Sequence, residues 1–142
     1  MRYDPRMVQP MRDELTKVGF EELRTPEAVD AQLTKPSGTV LVVVNSVCGC
    51  AAGLARPGVM LALKHPTRPE RLATVFAGMD VEATQQVRGY LAGYGPSSPA
   101  IALFRDARLV HMMERRDIEG RSADQIATAL RDAFDEFCGR AA

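Results

Sequence analysis

The sequence predicts an α/β fold, a mixed central sheet flanked by helices with a helical extension at its N-terminus. Three observations carry this. Thr39 to Val44 is a near-continuous, valine-rich apolar run, the pattern of a strand buried on both faces. Strand and helix patterns then alternate, so the first two strands run parallel through a crossover helix. Ala100–Phe104 and Arg108–Met113 are two further strand patterns, joined by Arg105-Asp106-Ala107 as a tight hairpin.

Met7, Met11, Leu15 and Val18 recur at helical spacing, and Gly19 supplies a stop. Pro10 marks the start of that helix or sits near it. Thr25-Pro26-Glu27 opens a second helix with a capping hydroxyl, a proline and an acid, and Val29 and Leu33 form its buried face. Pro36-Ser37-Gly38 separates this part from the valine run. A helix is expected from about Cys48 to Leu63, bent by Pro57. Leu72 to Phe76 is the second strand, and Asp80 is placed to cap a helix reaching about Ala92. Ala83, Val87 and Leu91 give that helix an inner stripe, which Val81, Gln85, Arg88 and Tyr90 make less clean. Ser122-Ala123-Asp124-Gln125 fits a capping box, and Ile126, Leu130, Phe134 and Phe137 form one face of the last helix.

From Thr39 the order is strand, helix, strand, helix, strand, strand, helix, which is the order of the thioredoxin fold. Residues 1–142 read as a single domain, with 1–38 as the helical extension and 39–138 as the core. That fold places a cis-proline at the start of the hairpin, facing the first strand-to-helix turn, and Pro99 falls there.

The chain has 142 residues, 46% hydrophobic and 25% charged, ordinary values for a globular domain. Eighteen basic and 18 acidic residues cancel, which argues against a nucleic-acid footprint. No apolar run approaches the ~20 residues of a membrane helix. Met1-Arg2-Tyr3-Asp4-Pro5-Arg6 lacks the apolar stretch of a signal peptide, so a cytoplasmic location is expected. In a reducing compartment, two close cysteines point to catalysis or metal binding rather than to a structural staple.

Those two are Cys48 and Cys50, at the turn where the valine strand gives way to a helix. A thiol at a helix N-terminus faces unpaired N–H groups and the positive end of the helix dipole. Both favour the thiolate, the nucleophile of disulfide exchange. Cys48 is the expected attacking group. One residue, Gly49, separates the pair, so a Cys48–Cys50 disulfide closes a small ring that departs from relaxed geometry. Strain in the oxidised form raises the reduction potential. Gly49 tolerates the torsions such a ring demands, and Ala51, Ala52 and Gly53 leave room for a bulky disulfide to approach. Ser98 and Pro99 would lie opposite, where backbone can pair with an incoming chain. Arg56 is eight positions beyond Cys48, about 12 Å along a helix, too far to pair with the thiolate.

Competing readings stay open. Cys48, Cys50 and Cys138 with His65 and His111 could nominally supply metal or cluster ligands, although no second close-spaced pair exists. Cys138 reads as a partly buried thiol, with a resolving role as the alternative. His111 reads as a packed or edge histidine, and His65 as a solvated loop. The charges of Glu114-Arg115-Arg116-Asp117 read as a solvated turn, with contact to an anionic thiol as the alternative.

Over Val42-Val43-Val44-Asn45-Ser46-Val47-Cys48-Gly49-Cys50-Ala51-Ala52-Gly53-Leu54-Ala55-Arg56-Pro57 the sequence resembles the bacilliredoxin family. The resemblance extends through Pro10-Met11-Arg12, Gly19-Phe20-Glu21-Glu22-Leu23, Val75-Phe76-Ala77-Gly78, Pro96-Ser97-Ser98-Pro99 and Ile118-Glu119-Gly120. It implies a thiol–disulfide oxidoreductase that removes bacillithiol from protein mixed disulfides. Cys48 would attack, and Cys50 or a second bacillithiol would release the adduct. Bacillithiol would be a thiol co-substrate, with bacillithiolated clients and a cognate reductase as partners and no metal or prosthetic group. A disulfide isomerase using the same Cys48 is the rival implied activity.

Overall fold

The computed structural model describes residues 3–139. Five strands form one mixed sheet in the order β1-β3-β2-β4-β5. They are β1 (Glu21–Glu22), β2 (Thr39–Asn45), β3 (Arg71–Phe76), β4 (Ala100–Arg105) and β5 (Arg108–Met113). β2 pairs parallel with β3 and antiparallel with β4. All seven residues of β2 are buried, as its unbroken apolar pattern requires.

Alternation along β2 sorts the core into two layers. Leu41 and Val43 pack with Leu15 of α1 (Pro5–Thr16), Val59 of α3 (Arg56–Ala62), and Ile126, Leu130 and Phe134 of α6 (Ala123–Phe137). Val40, Val42 and Val44 pack with Val29 and Leu33 of α2 (Pro26–Leu33) and with Ala83 and Val87 of α4 (Val81–Gly89). The contact between α3 and α6 is close enough that a Cβ on Gly58 would lie 2.6 Å from Ile126 Cγ2. The Ser122 box caps α6, with Gln125 N–H donating to Ser122 Oγ and Ser122 N–H to Gln125 Oε1.

Several elements differ from the sequence pattern. The N-terminal segment is not wholly helical, because Glu21 and Glu22 pair parallel with Ala73 and Thr74 and lay a fifth strand on the sheet. Two residues are too few to show a period. α1 starts at Pro5 under an Asp4 cap, so Pro10 lies inside the helix instead of marking its start. The helix after the cysteines is not one bent α-helix. Pro57 has no N–H to offer four residues back, and the chain widens into a π turn over Ala51–Ala55, with Arg56 N–H reaching Ala51 O, before α3 begins. The hairpin loop is two residues, Asp106 and Ala107, both at positive φ (52° and 67°), the geometry that matches strand twist.

α4 ends at Gly89, and Asp80 precedes it without capping it. The Asp80 carboxylate is engaged elsewhere. It accepts two bonds from the buried Arg12 guanidinium (2.9 and 3.0 Å) and one from Phe76 N–H (3.0 Å). Arg12 also pairs with Glu22 at 2.9 Å and stacks over the Phe76 ring. The last turn of β3 and the start of α4 are thereby fastened to α1.

Candidate active site

Cys48 and Cys50 lie beyond the C-terminal end of β2, at the entrance to the π turn. β2 ends in Asn45, whose side chain organises the loop. Its Oδ1 accepts from Ser46 N–H and from Arg56 Nη1, both at 2.9 Å, and its Nδ2 donates to Met11 O of α1 at 3.1 Å. The buried Arg56 curls back beneath the loop and donates to Ser46 O at 2.9 Å. Its Nε sits 3.1 Å from Glu14 Oε1, close enough for charge pairing but misaligned for a hydrogen bond. Axial distance along a helix treats Arg56 as remote from the thiol. It misses that a long side chain can return to the loop backbone. Met11, Arg12 and Glu14, all on α1, thus support Asn45, Asp80 and Arg56 respectively.

The loop directs donors at Cys48. Cys48 N–H donates to Ser46 Oγ at 3.1 Å, and the Ser46 hydroxyl donates in turn to the Cys48 sulfur. Partial burial pushes this thiol up. Hydrogen bonds from Ser46 Oγ, Ala51 N–H, the Cys50 thiol and Cys50 N–H together outweigh it, and the group is held below the ordinary cysteine range. Cys50 moves the other way. Desolvation comes first, then its hydrogen bond to Cys48 and the negative charges of Cys48 and Glu119, against a smaller opposing effect of Arg115. The two thiols are thus shifted in opposite directions, Cys48 toward the thiolate and Cys50 toward the thiol. All three cysteines are free.

Across from the pair, the Ser98–Pro99 peptide is cis and Pro99 is buried. Arg115, the first residue of α5 (Arg115–Glu119), meets this segment. Its backbone N–H donates to Ser97 Oγ at 2.7 Å and its Nη1 approaches Ser98 O at 3.4 Å. A cleft of about 310 Å³ opens beside Cys48, with Ser46, Gly78, Arg88, Ser98 and Arg115 among its walls. Gly49 is exposed with nothing within 4 Å of a built Cβ, so the reduced form has room for a side chain there. Any need for glycine belongs to ring closure or to the approach of a substrate.

The remaining cysteine and the histidines are elsewhere. Cys138 caps the C-terminal end of α6 beside Thr39, at the opposite end of β2. His111 lies on β5, where burial keeps its imidazole toward the neutral form, and its Nε2 has no partner among the described residues. His65 is not a free loop residue. It pairs with Asp135 of α6 at 2.8 Å. These three do not converge on Cys48 and Cys50, and no three His, Cys, Asp or Glu side chains are grouped for a metal among the described residues. The sequence pattern alone does not single out Asn45, Ser46 or the Arg12–Asp80 pair, and it shows Arg88 only as a break in a helix stripe. Ser46 left a local signal, a hydroxyl two positions before a cysteine at a strand end.

A mixed five-stranded sheet carrying a split-pKa dithiol at the first strand-to-helix turn defines a thiol–disulfide oxidoreductase of thioredoxin fold. Solved thioredoxins share the architecture. The Fasciola hepatica protein superposes with a TM-score of 0.57 at 17% identity, over 83% of this chain and 99% of that one. Mitochondrial thioredoxin 3 from Saccharomyces cerevisiae gives 0.57 at 13% identity, over 87% and 99%. Closer kinship comes from sequence. A bacilliredoxin of Koribacter versatilis is 56% identical over 140 residues, 99% of this chain and 97% of the relative. One from Cytophaga hutchinsonii is 58% identical over 135 residues, 95% and 99%. A family model described as disulphide isomerase matches residues 3–138. The chain belongs to the bacilliredoxin family.

Proposed function

We propose that this oxidoreductase removes bacillithiol from mixed disulfides on client proteins, with Cys48 attacking and Cys50 resolving. The carrying observation is the split within the pair. Four hydrogen-bond donors shift Cys48 toward the thiolate, while desolvation and the neighbouring Cys48 shift Cys50 toward the thiol. Cys48 thiolate attacks the bacillithiol sulfur of the mixed disulfide. The client–bacillithiol S–S bond breaks, a Cys48–bacillithiol bond forms, and the client leaves as a thiolate that takes a proton from water. Cys50 then loses its proton to water and attacks Cys48 Sγ, expelling bacillithiol and closing the Cys48–Cys50 disulfide. A second bacillithiol attacking the adduct is the alternative release step. A cognate reductase, or further bacillithiol, returns the pair to the dithiol. Gly49, Ser98 and Pro99 form the side on which substrate lies, with the whole chain acting as one domain in the reducing cytoplasm.

The test is intact-mass analysis of Cys50→Ser protein incubated with bacillithiol-modified client, with glutathione-modified client in parallel. The expected result is a bacillithiol adduct on Cys48 with freed client thiol, and less adduct from the glutathione arm. Absence of adduct on folded, reduced protein contradicts the attack step.

The family description favours a second reading, disulfide isomerisation. Here Cys48 attacks a wrong protein disulfide, and Cys50 is the escape thiol that releases stalled complexes. Recovery of a scrambled-disulfide protein without release of the small thiol from a mixed disulfide selects that reading.

A further inference from the structure

The cleft beside Cys48 carries two guanidinium groups, from Arg88 on α4 and Arg115 on α5, and no acidic side chain among its walls. The two differ in what they already hold. Arg115 is paired with Glu119 at 3.2 Å and reaches toward Ser98 O. Arg88 Nε is buried and finds no hydrogen-bond partner among the described residues, and no described carboxylate forms an ion pair with this side chain. The Arg88 side chain is half-buried, and its enclosed Nε lacks the acceptor that a ligand would supply. A guanidinium fork matches a carboxylate in particular.

We propose that this cleft is a carboxylate subsite for the small thiol, with Arg88 as its anchor and Arg115 as its second, shared arm. The inference rests on the thiol-transfer reading above and names the substrate class, a low-molecular-weight thiol bearing carboxylate groups. Seating the carboxylate on Arg88 places the small thiol, rather than the client, on the Cys48 side of the mixed disulfide. Cys48 thiolate then forms its bond to the small thiol's sulfur, and the client sulfur departs with the electron pair. The subsite therefore chooses which of the two sulfurs is attacked.

The test compares two mixed disulfides of one client protein, one with mercaptosuccinate and one with 2-mercaptoethanol, as substrates of the full chain. The readout is the ratio of their kcat/KM values for client thiol release. The account expects wild type to prefer the carboxylated disulfide. Arg88→Gln should reduce that ratio about tenfold, mainly through KM, as removal of one charge-assisted pair implies. Arg88→Lys, which keeps the charge and loses the fork, should recover part of it. A ratio within about twofold of wild type in Arg88→Gln overturns the subsite while leaving thiol transfer standing. Wild type that releases client from neither disulfide overturns the thiol-transfer reading itself. A preference that vanishes when acidic neighbours of the client cysteine become amides assigns the arginines to the client and also overturns the proposal.

Discussion

At one end of β2, Cys48 lies beside the hydroxyl of Ser46. At the other, Cys138 lies beside the hydroxyl of Thr39. Seven strand residues at ~3.3 Å each put roughly 20 Å between the two ends. The same side chain with the same kind of neighbour acquires opposite character. Cys48 stands before a helical segment, where hydrogen bonding from Ser46, Ala51 N–H and Cys50 lowers its pKa. Cys138 stands after one, its own N–H already given to Phe134 O at 2.7 Å. Burial pushes Cys138 up, and the Thr39 hydrogen bond and Arg105 do not offset it, with Glu70 adding to the rise. Character here is set by which end of a helix the thiol meets and by how many donors surround it, and not by a neighbouring hydroxyl alone.

The sharpest way to break this comparison is to remove each thiol in turn. Cys48→Ser should reduce client thiol release to background, because a hydroxyl is not ionised near neutrality. Cys138→Ser should leave the rate within about twofold, the usual range for a site remote from the chemistry. Equal losses would mean that Cys138 takes part and that the two ends are coupled.

The next largest effect concerns the ion lattice beneath the cysteine end. Asp80→Ala leaves Arg12 buried without its bidentate partner and should cost about 3–5 kcal/mol in urea unfolding. A loss under about 1 kcal/mol would mean that Glu22 alone holds Arg12.

A smaller change isolates the hydroxyl. Ser46→Ala should raise the Cys48 pKa, since a hydrogen bond that favours the charged form is lost. The sign is fixed by the donor. Losing it disfavours thiolate, so alkylation at a pH below the pKa slows. Thr39→Val should shift Cys138 upward, away from neutrality.

The smallest effect is at Gly49. Its open surroundings predict that Gly49→Ala changes unfolding free energy by no more than about 0.5 kcal/mol. Gly58→Ala, which meets Ile126, should cost about 1–3 kcal/mol. Any larger effect of Gly49→Ala should appear in the potential of the Cys48–Cys50 disulfide, where the small ring tightens.

The contrast between the ends also shows what a sequence can carry. The apolar run of β2, the hairpin after Pro99 and the Ser122 box are local patterns, and each is present in the structure. Cys48 and Cys50 were legible because spacing and fold order coincide. Asp80 looked like a cap because its position is a cap position. Its carboxylate instead serves Arg12, 68 residues away, and no local pattern reports such a partner. Arg88 looked like a flaw in an amphipathic helix. That departure from pattern is what puts a cation beside the thiol. β1 was hidden because an edge of two glutamates has no apolar period.

The most direct measurement is mass-resolved iodoacetamide labelling of the reduced protein across a pH series, with Cys48 and Cys138 followed separately. The account predicts that Cys48 reaches half-maximal rate at a lower pH than an ordinary cysteine and Cys138 at a higher one. Coincident profiles, or Cys138 titrating first, would contradict the claim that donors at the cysteine turn make Cys48 the nucleophile.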